Sequence, residues 1–181
     1  MDTLLIISSI NKNTIQLDFY INAIFYFLKS LENEYVNFTH WFFNKAITGL
    51  HTGERKFLLY IKDQYLAGIA ILKNNMDEKK ICTLRVSPKF QRHGIGTKLL
   101  EKSFEILQTE KPLITVSNLR YAQFKKLFKK FNFKITGIKK NYYKHNTSEI
   151  IFNNELKTSM KIHCLFGSKM CKYDIKKYPF H

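Results

Sequence analysis

Hydrophobic and polar positions along this chain follow two rhythms. Short runs rich in β-branched and aromatic residues predict strands, and longer stretches with apolar residues three or four apart predict helices. Residues 4–10 form a first strand that ends at Asn11-Lys12-Asn13. Thr14 is placed as an N-cap for a helix over 15–31 that is apolar on more than one face. Residues 38–50 are a second helical segment, closed by Gly49 and the Thr52-Gly53 turn. Most aromatics of this region, Tyr35, Trp41 and Phe42 among them, read as core, with a few left to line a substrate cleft.

Residues 57–61 and 65–72 flank Lys62-Asp63-Gln64 as an antiparallel hairpin. Residues 81–86 are a further strand, stopped at Ser87-Pro88 because proline cannot continue a central ladder. A glycine-bearing turn then opens a helix over 94–107, and 113–116 is a short apolar strand. Over 120–131 the residues Tyr121, Phe124, Phe128 and Phe131 fall on one helical stripe, leaving Lys125, Lys126, Lys129 and Lys130 as a basic, solvated face. Residues 134–143 and 149–156 pair as a closing hairpin around His145-Asn146-Thr147. This order predicts a mixed α/β sheet with helices on its faces, in one domain over 1–156. Residues 157–181 follow as a basic extension, read as a linker or docking arm.

Composition narrows the class. With 181 residues, 45% of them hydrophobic, the chain can bury a core without staples. Thirty Lys and Arg against 14 acids give a net charge of +16, which favours a polyanionic partner: a nucleotide cofactor, nucleic acid or an acidic surface. Lysine and asparagine are abundant throughout, however, so part of the excess is background. Three cysteines make no even disulfide framework, which suits a reducing, cytoplasmic location. The first residues lack a basic signal region, and the most apolar run, 19–28, is too short for a membrane span. His163, Cys164 and Cys171 are an incomplete set for zinc, so no metal is expected.

The chemistry concentrates in Gln91-Arg92-His93-Gly94-Ile95-Gly96, between a strand and a helix. A helix start leaves backbone N–H groups without internal partners and carries partial positive charge, so a diphosphate fits there. Gly94 and Gly96 allow close approach of phosphate oxygens, and Lys89, Arg92, His93 and Lys98 add charge. A dinucleotide fingerprint fails for want of a third glycine, and a P-loop fails for want of a G-K-[ST] ending.

Val86, Pro88, Phe90, Gln91, Arg92, Gly94, Gly96, Leu99 and Leu100 fall in step with the acyl-CoA signature of the GNAT superfamily, which the chain resembles over about 4–156. The resemblance implies a mostly antiparallel sheet with a central splayed parallel strand pair, 81–86 beside 113–116, and helices on both faces. It implies N-acetyltransferase activity with acetyl-CoA as acyl donor. Leu84, Arg85 and Val86 would meet the pantetheine arm, and Gln91, Arg92, His93, Gly94, Ile95, Gly96, Thr97 and Lys98 the diphosphate. The Val86 amide would be the oxyanion donor.

Such enzymes transfer acetyl directly, so Cys82 is not needed as a nucleophile and reads as a packed core thiol. The resemblance also sharpens a departure. The family's usual acid tyrosine, followed four residues later by glycine, is replaced here by Phe128 and Asn132. Tyr142 and Tyr143 in the closing hairpin are the substitutes; neighbours on a strand face opposite ways, and Tyr143 is preferred. For a general base only Glu149 and His145 offer themselves, both expected at the surface, and water relays would also serve. The acceptor is a primary amine of a protein, peptide or small molecule. The alternatives are aminoacyl-tRNA, met by the basic face and tail, and a non-catalytic acyl-CoA-binding module. A homodimer is compatible with the sequence, and no membrane partner is expected.

Overall fold

The structure, a computed structural model, describes residues 2–8 and 14–154. The end of the first strand at 9–10, the end of the last at 155–156, and the extension with His163, Cys164 and Cys171 lie outside the described residues. Seven strands among the described residues form two sheets. β1 (Asp2–Ser8), β2 (Arg55–Lys62), β3 (Tyr65–Asn74) and β4 (Lys79–Val86) make an antiparallel sheet in that order. β5 (Ile114–Ser117), β6 (Ile135–Lys140) and β7 (Ser148–Phe152) make a second antiparallel sheet, in the order β5-β7-β6.

The run Phe57-Leu58-Leu59-Tyr60 is buried at every position because both faces of the first sheet are covered. Phe57 and Leu59 pack with Ile24, Leu28, Phe42 and Leu50, from α1 (Thr14–Leu28), a π-helical stretch (Phe42–Ile47) and α3 (Thr48–His51). A short α2 (Phe38–Trp41) runs directly into that stretch. On the other face Leu58 and Tyr60 pack with Leu99, Leu100 and Phe128, from α4 (Ile95–Leu107) and α5 (Tyr121–Lys130). Helices therefore lie on both faces, as expected.

The central parallel pair does not form as a ladder. β4 and β5 meet at one parallel bridge, Lys80 opposite Leu113, where Ile81 N–H donates to Leu113 O (2.9 Å) and Leu113 N–H to Lys79 O (3.0 Å). Immediately after it β4 bulges: Ile81 faces Leu72 and Thr83 faces Ile71, leaving Cys82 as an extra residue. A bulge bends a strand and increases its twist, and here it coincides with the point where β4 and β5 part.

Two further boundaries differ from expectation. The first helix stops at Leu28 and continues as a 3₁₀ turn, Lys29–Asn33. β6 ends at Lys140 because Asn141 takes a left-handed φ of 54°, stabilised by donation from Asn146 N–H to its side-chain oxygen (2.8 Å). Tyr142 and Tyr143 consequently sit in the β6–β7 loop, and strand alternation does not sort them.

Candidate active site

The turn after β4 is built by local rules. Ser87 N–H returns to Ala67 O on β3 (2.9 Å), Pro88–Phe90 makes a 3₁₀ turn, and buried Phe90 anchors it. Arg92 (φ 63°) and Gly94 (φ 75°) then take left-handed conformations, and α4 begins. Lys98 N–H donates to Gly94 O (3.1 Å), so the amides of Ile95, Gly96 and Thr97 precede the first helical bond. A Cβ at Gly94 would meet nothing within 4 Å, so the space before the helix start is open. Because Ser87 bonds towards β3 and successive amides alternate, the Val86 amide faces the opposite edge, where β5 has diverged.

A cleft of ≈ 1060 Å³ runs from this turn through the gap between β4 and β5. Leu84, Arg85, Val86, Gln91, Arg92, Gly94, Ile95, Gly96 and Thr97 line it, bringing together nine of the anticipated cofactor residues. His93 and Lys98 do not line it. The His93 ring folds back on Gln91 O (Nδ1 at 2.8 Å). Lys98 Nζ donates to the Tyr60 hydroxyl (2.8 Å) and approaches Asp2 (3.9 Å), on the side of α4 away from the cleft. Lys89 also lies elsewhere, over the Tyr65 ring at 4.8 Å. Charge there comes from Arg92 and, in place of those three, from Lys126 and Lys130 of α5, which stand beside Gln123 and Leu127 on the wall. Their spacing of four residues beside the apolar stripe was the available signal.

At the other end the cleft is walled by Tyr35, Phe38, Trp41, Lys80, Cys82, Thr115, Arg120 and Tyr143. Phe42, by contrast, is wholly in the core. Cys82 packs against the core cluster that holds Ile69 and Ile71, as expected, but it is only half-buried and also reaches the cleft wall, where Arg55 Nη1 donates to its Sγ (2.9 Å). The segment between α1 and α2 crosses over this end. Glu34 accepts from Arg120 Nε (2.9 Å), Lys144 Nζ donates to Asn33 O (2.8 Å), and Tyr35 meets Tyr143 edge-on at 5.5 Å.

Tyr143 is 5% exposed, and burial, followed by neighbouring Tyr142, pushes its phenol well above the usual value of 10. Tyr142 is half-buried against Leu113 and Ile151 and does not line the cleft. Phe128 is 2% exposed between Phe124, Phe133 and Phe152, so aromatic core fills the position of the usual acid. Asn132 keeps a left-handed φ of 52°, a conformation asparagine tolerates where glycine is usual. His145 is exposed, as expected. Glu149 is not at the surface: it is 2% exposed on β7, and burial, only partly offset by the neighbouring Thr115 hydroxyl and by Lys80, raises its carboxyl to about 7.

Among the described residues there is no group of three or more His, Cys, Asp or Glu placed to hold a metal, and no helix is long and apolar enough to cross a membrane. The model of the family described as "Acetyltransferase (GNAT) domain" matches residues 29–150. A Bacillus subtilis (strain 168) protein, provisionally named a ribosomal protein bS18-alanine N-acetyltransferase, is 26% identical over 97 residues. That match covers 52% of this chain and 64% of the relative, under two thirds of its length. The Escherichia coli ribosomal-protein-S18-alanine N-acetyltransferase shares the fold with a TM-score of 0.59 at 19% identity, over 88% of this chain and 99% of that one. A GNAT family acetyltransferase from Elizabethkingia anophelis, solved with acetyl-CoA bound, superposes with a TM-score of 0.55 at 21% identity, over 84% and 98%.

Proposed function

This chain belongs to the GNAT acetyltransferase family, and on that premise we propose that it moves acetyl from acetyl-CoA directly to a primary amine entering beside Tyr35 and Tyr143. Acetyl-CoA-dependent acyl transfer is the activity typical of that family. The observation that carries the reading is the open helix start. Amides of Ile95, Gly96 and Thr97 face a cleft that a Gly94 side chain would enter, with Lys126 and Lys130 alongside. These groups suit a diphosphate and a further phosphate.

Bound acetyl-CoA supplies the activated acetyl group. Leu84 and Val86 would hold its arm by backbone bonds, and the Val86 N–H would donate to the thioester oxygen as that oxygen gains charge. Tyr143 is the acid of this scheme. Its phenol is protonated at neutral pH and can donate to a leaving sulfur, although burial makes it a weaker acid than a free tyrosine. Tyr142 is set aside because it does not reach the cleft wall.

The first acceptor class to test is the α-amino group of a protein N-terminus, the class that the names of the Bacillus and Escherichia proteins point to. An α-amino group, near ~7.7–8.0, also reaches the neutral form far more readily than lysine near ~10.4. Incubation with a peptide panel should release free CoA, with mass added only at unblocked N-termini. Acetyl-CoA binding without thiol release on peptides, small amines or aminoacyl-tRNA would leave a binding module instead. Tyr143→Phe should lower kcat about 10²-fold with cofactor affinity unchanged; an unchanged kcat removes the assignment.

Aminoacyl-tRNA is the second reading, favoured by the exposed lysines of α5. The cleft divides that face. Lys126→Glu with Lys130→Glu should weaken acetyl-CoA binding at least tenfold by calorimetry, whereas Lys125→Glu with Lys129→Glu should leave it unchanged. Salt-sensitive tRNA retention abolished by the second pair would move the assignment to tRNA.

A further inference from the structure

Glu149 is a buried acid that the scheme above does not use. It sits on β7 opposite Ser117 of β5, 2% exposed, with its Oε2 bonded to nothing among the described residues. Thr115 and Glu149 are diagonal cross-strand neighbours in the β5–β7 ladder, and the Thr115 hydroxyl lies near enough to act on both this carboxyl and the Tyr143 phenol. Thr115 and Tyr143 line the cleft, while Glu149 stands one residue behind the wall. The arrangement is a chain of three: carboxyl, hydroxyl, phenol. A hydroxyl between two such groups can donate to either, so the direction of the chain reverses when a proton moves from one end to the other.

We infer that Glu149, acting through Thr115, is the proton store of the acetyl transfer: it takes a proton from the incoming ammonium and returns it to Tyr143. This deepens the proposed acetyltransferase reading and rests on it. The ammonium gives one proton to Thr115 as the Thr115 proton passes to the Glu149 carboxylate, leaving a neutral amine. The amine nitrogen bonds to the thioester carbon, the carbon–sulfur bond breaks with its electron pair on sulfur, and Tyr143 donates its proton to that sulfur. Protonated Glu149 then donates to Thr115 and Thr115 to the tyrosinate, which restores both ends. The second proton of the attacking nitrogen leaves to water. The products are the amide, CoA as its thiol, and one released proton, with no oxidant or metal required.

The surroundings suit a store that fills and empties near neutral pH. From β4, buried Lys80 faces Glu149 and favours its carboxylate. From the segment ahead of α2, Glu34 opposes that charge, and Tyr35 stands between Glu34 and Tyr143 with its own phenol raised by burial. Tyr142 and Tyr143 approach from the β6–β7 loop, and Arg120 holds Glu34. Burial outweighs Lys80, so the carboxyl titrates around 7 rather than in the ordinary carboxylate range. A store at this level lies within about tenfold of an α-ammonium in proton affinity, but more than 10³-fold from a lysine ammonium.

Two measurements on the full chain test the inference. The first needs no acceptor: ¹³C NMR of glutamate-labelled protein, with Glu149→Gln identifying the resonance, should show a titration midpoint near 7. A midpoint at 4 to 5 overturns the proposal whether or not the protein is an acetyltransferase. The second uses any amine that releases CoA. Glu149→Gln should lower kcat about 10²-fold at pH 8 with KM within threefold, and should remove the rising limb of the kcat–pH profile near 7. Thr115→Val should lower kcat similarly while the Glu149 resonance still titrates above 6. A Glu149→Gln enzyme that keeps the wild-type pH profile overturns the store and leaves acetyl transfer standing. Absence of turnover on every amine, with acetyl-CoA still bound, removes the premise instead.

Discussion

Gly94→Glu is expected to abolish acetyl-CoA binding while leaving a folded chain. Gly94 has φ 75°, a region that L-residues occupy at a cost of roughly 1–2 kcal/mol. A Cβ there nevertheless meets nothing within 4 Å, so the substitution clashes with no part of the core. The added carboxylate would project into the cleft at the start of α4, in front of the amides of Ile95, Gly96 and Thr97. It would occupy the place proposed for the diphosphate with the same sign of charge. A helix start attracts an anion by about 0.3–1 kcal/mol, so the glutamate recovers part of the backbone strain. Gly94→Ala bears the same strain without that attraction. The ordering is therefore diagnostic: Gly94→Glu should melt at or above Gly94→Ala, yet bind acetyl-CoA more than 10²-fold more weakly. Calorimetry and thermal unfolding of the two variants decide it. Retained binding in the glutamate variant would remove the helix start from the cofactor site.

The fold was legible wherever local chemistry dictated it. Strand 57–61 is a continuous apolar run and helix 94–107 keeps helical spacing, and the turn between Ser87 and Gly96 is written in proline, glycine and an aromatic anchor. What the sequence concealed depended on partners distant in the chain. The Cys82 bulge, at which β4 and β5 separate, has no glycine or proline to announce it; it follows from the register with β3. Lys98 reads as a phosphate ligand because it follows the glycines, but Tyr60 and Asp2, roughly forty and a hundred residues earlier, draw it to the other side of α4. Lys126 and Lys130 read as solvated and stand on the cleft wall, because sequence shows the width of an apolar stripe but not what faces its edges. Glu149 misled most. An acid at the start of a hairpin strand is usually exposed, and only the pairing of β5 with β7 under the α1–α2 segment buries it.

That burial carries a thermodynamic signature independent of any substrate. The Glu149 carboxyl titrates at about 7 in the folded chain against 4.5 for an ordinary glutamate, so between these values the native state binds more protons than the unfolded one. Stability therefore falls as pH rises through this window. Below 4.5 both states are protonated and the group is neutral in effect; above 7 both are ionised and the whole penalty of the buried charge is present. At about 1.4 kcal/mol per pKa unit, the penalty is about 3.5 kcal/mol, with Lys80 attraction and the neighbouring Thr115 hydroxyl already acting within it. Glu149→Gln keeps an acceptor for Thr115 and removes the charge. The variant should thus be more stable than the wild type by about 2–3 kcal/mol at pH 8, seen as a melting temperature roughly 5–10 °C higher, and the two should converge near pH 4. Equal melting curves at pH 8, or a gap that does not close on acidification, would mean that the carboxyl is solvated or fully paired. A residue that destabilises the fold at working pH yet is placed within reach of Tyr143 fits the trade between stability and activity expected of functional sites. A gain in stability that accompanies a loss in kcat in the same variant would tie the two roles together.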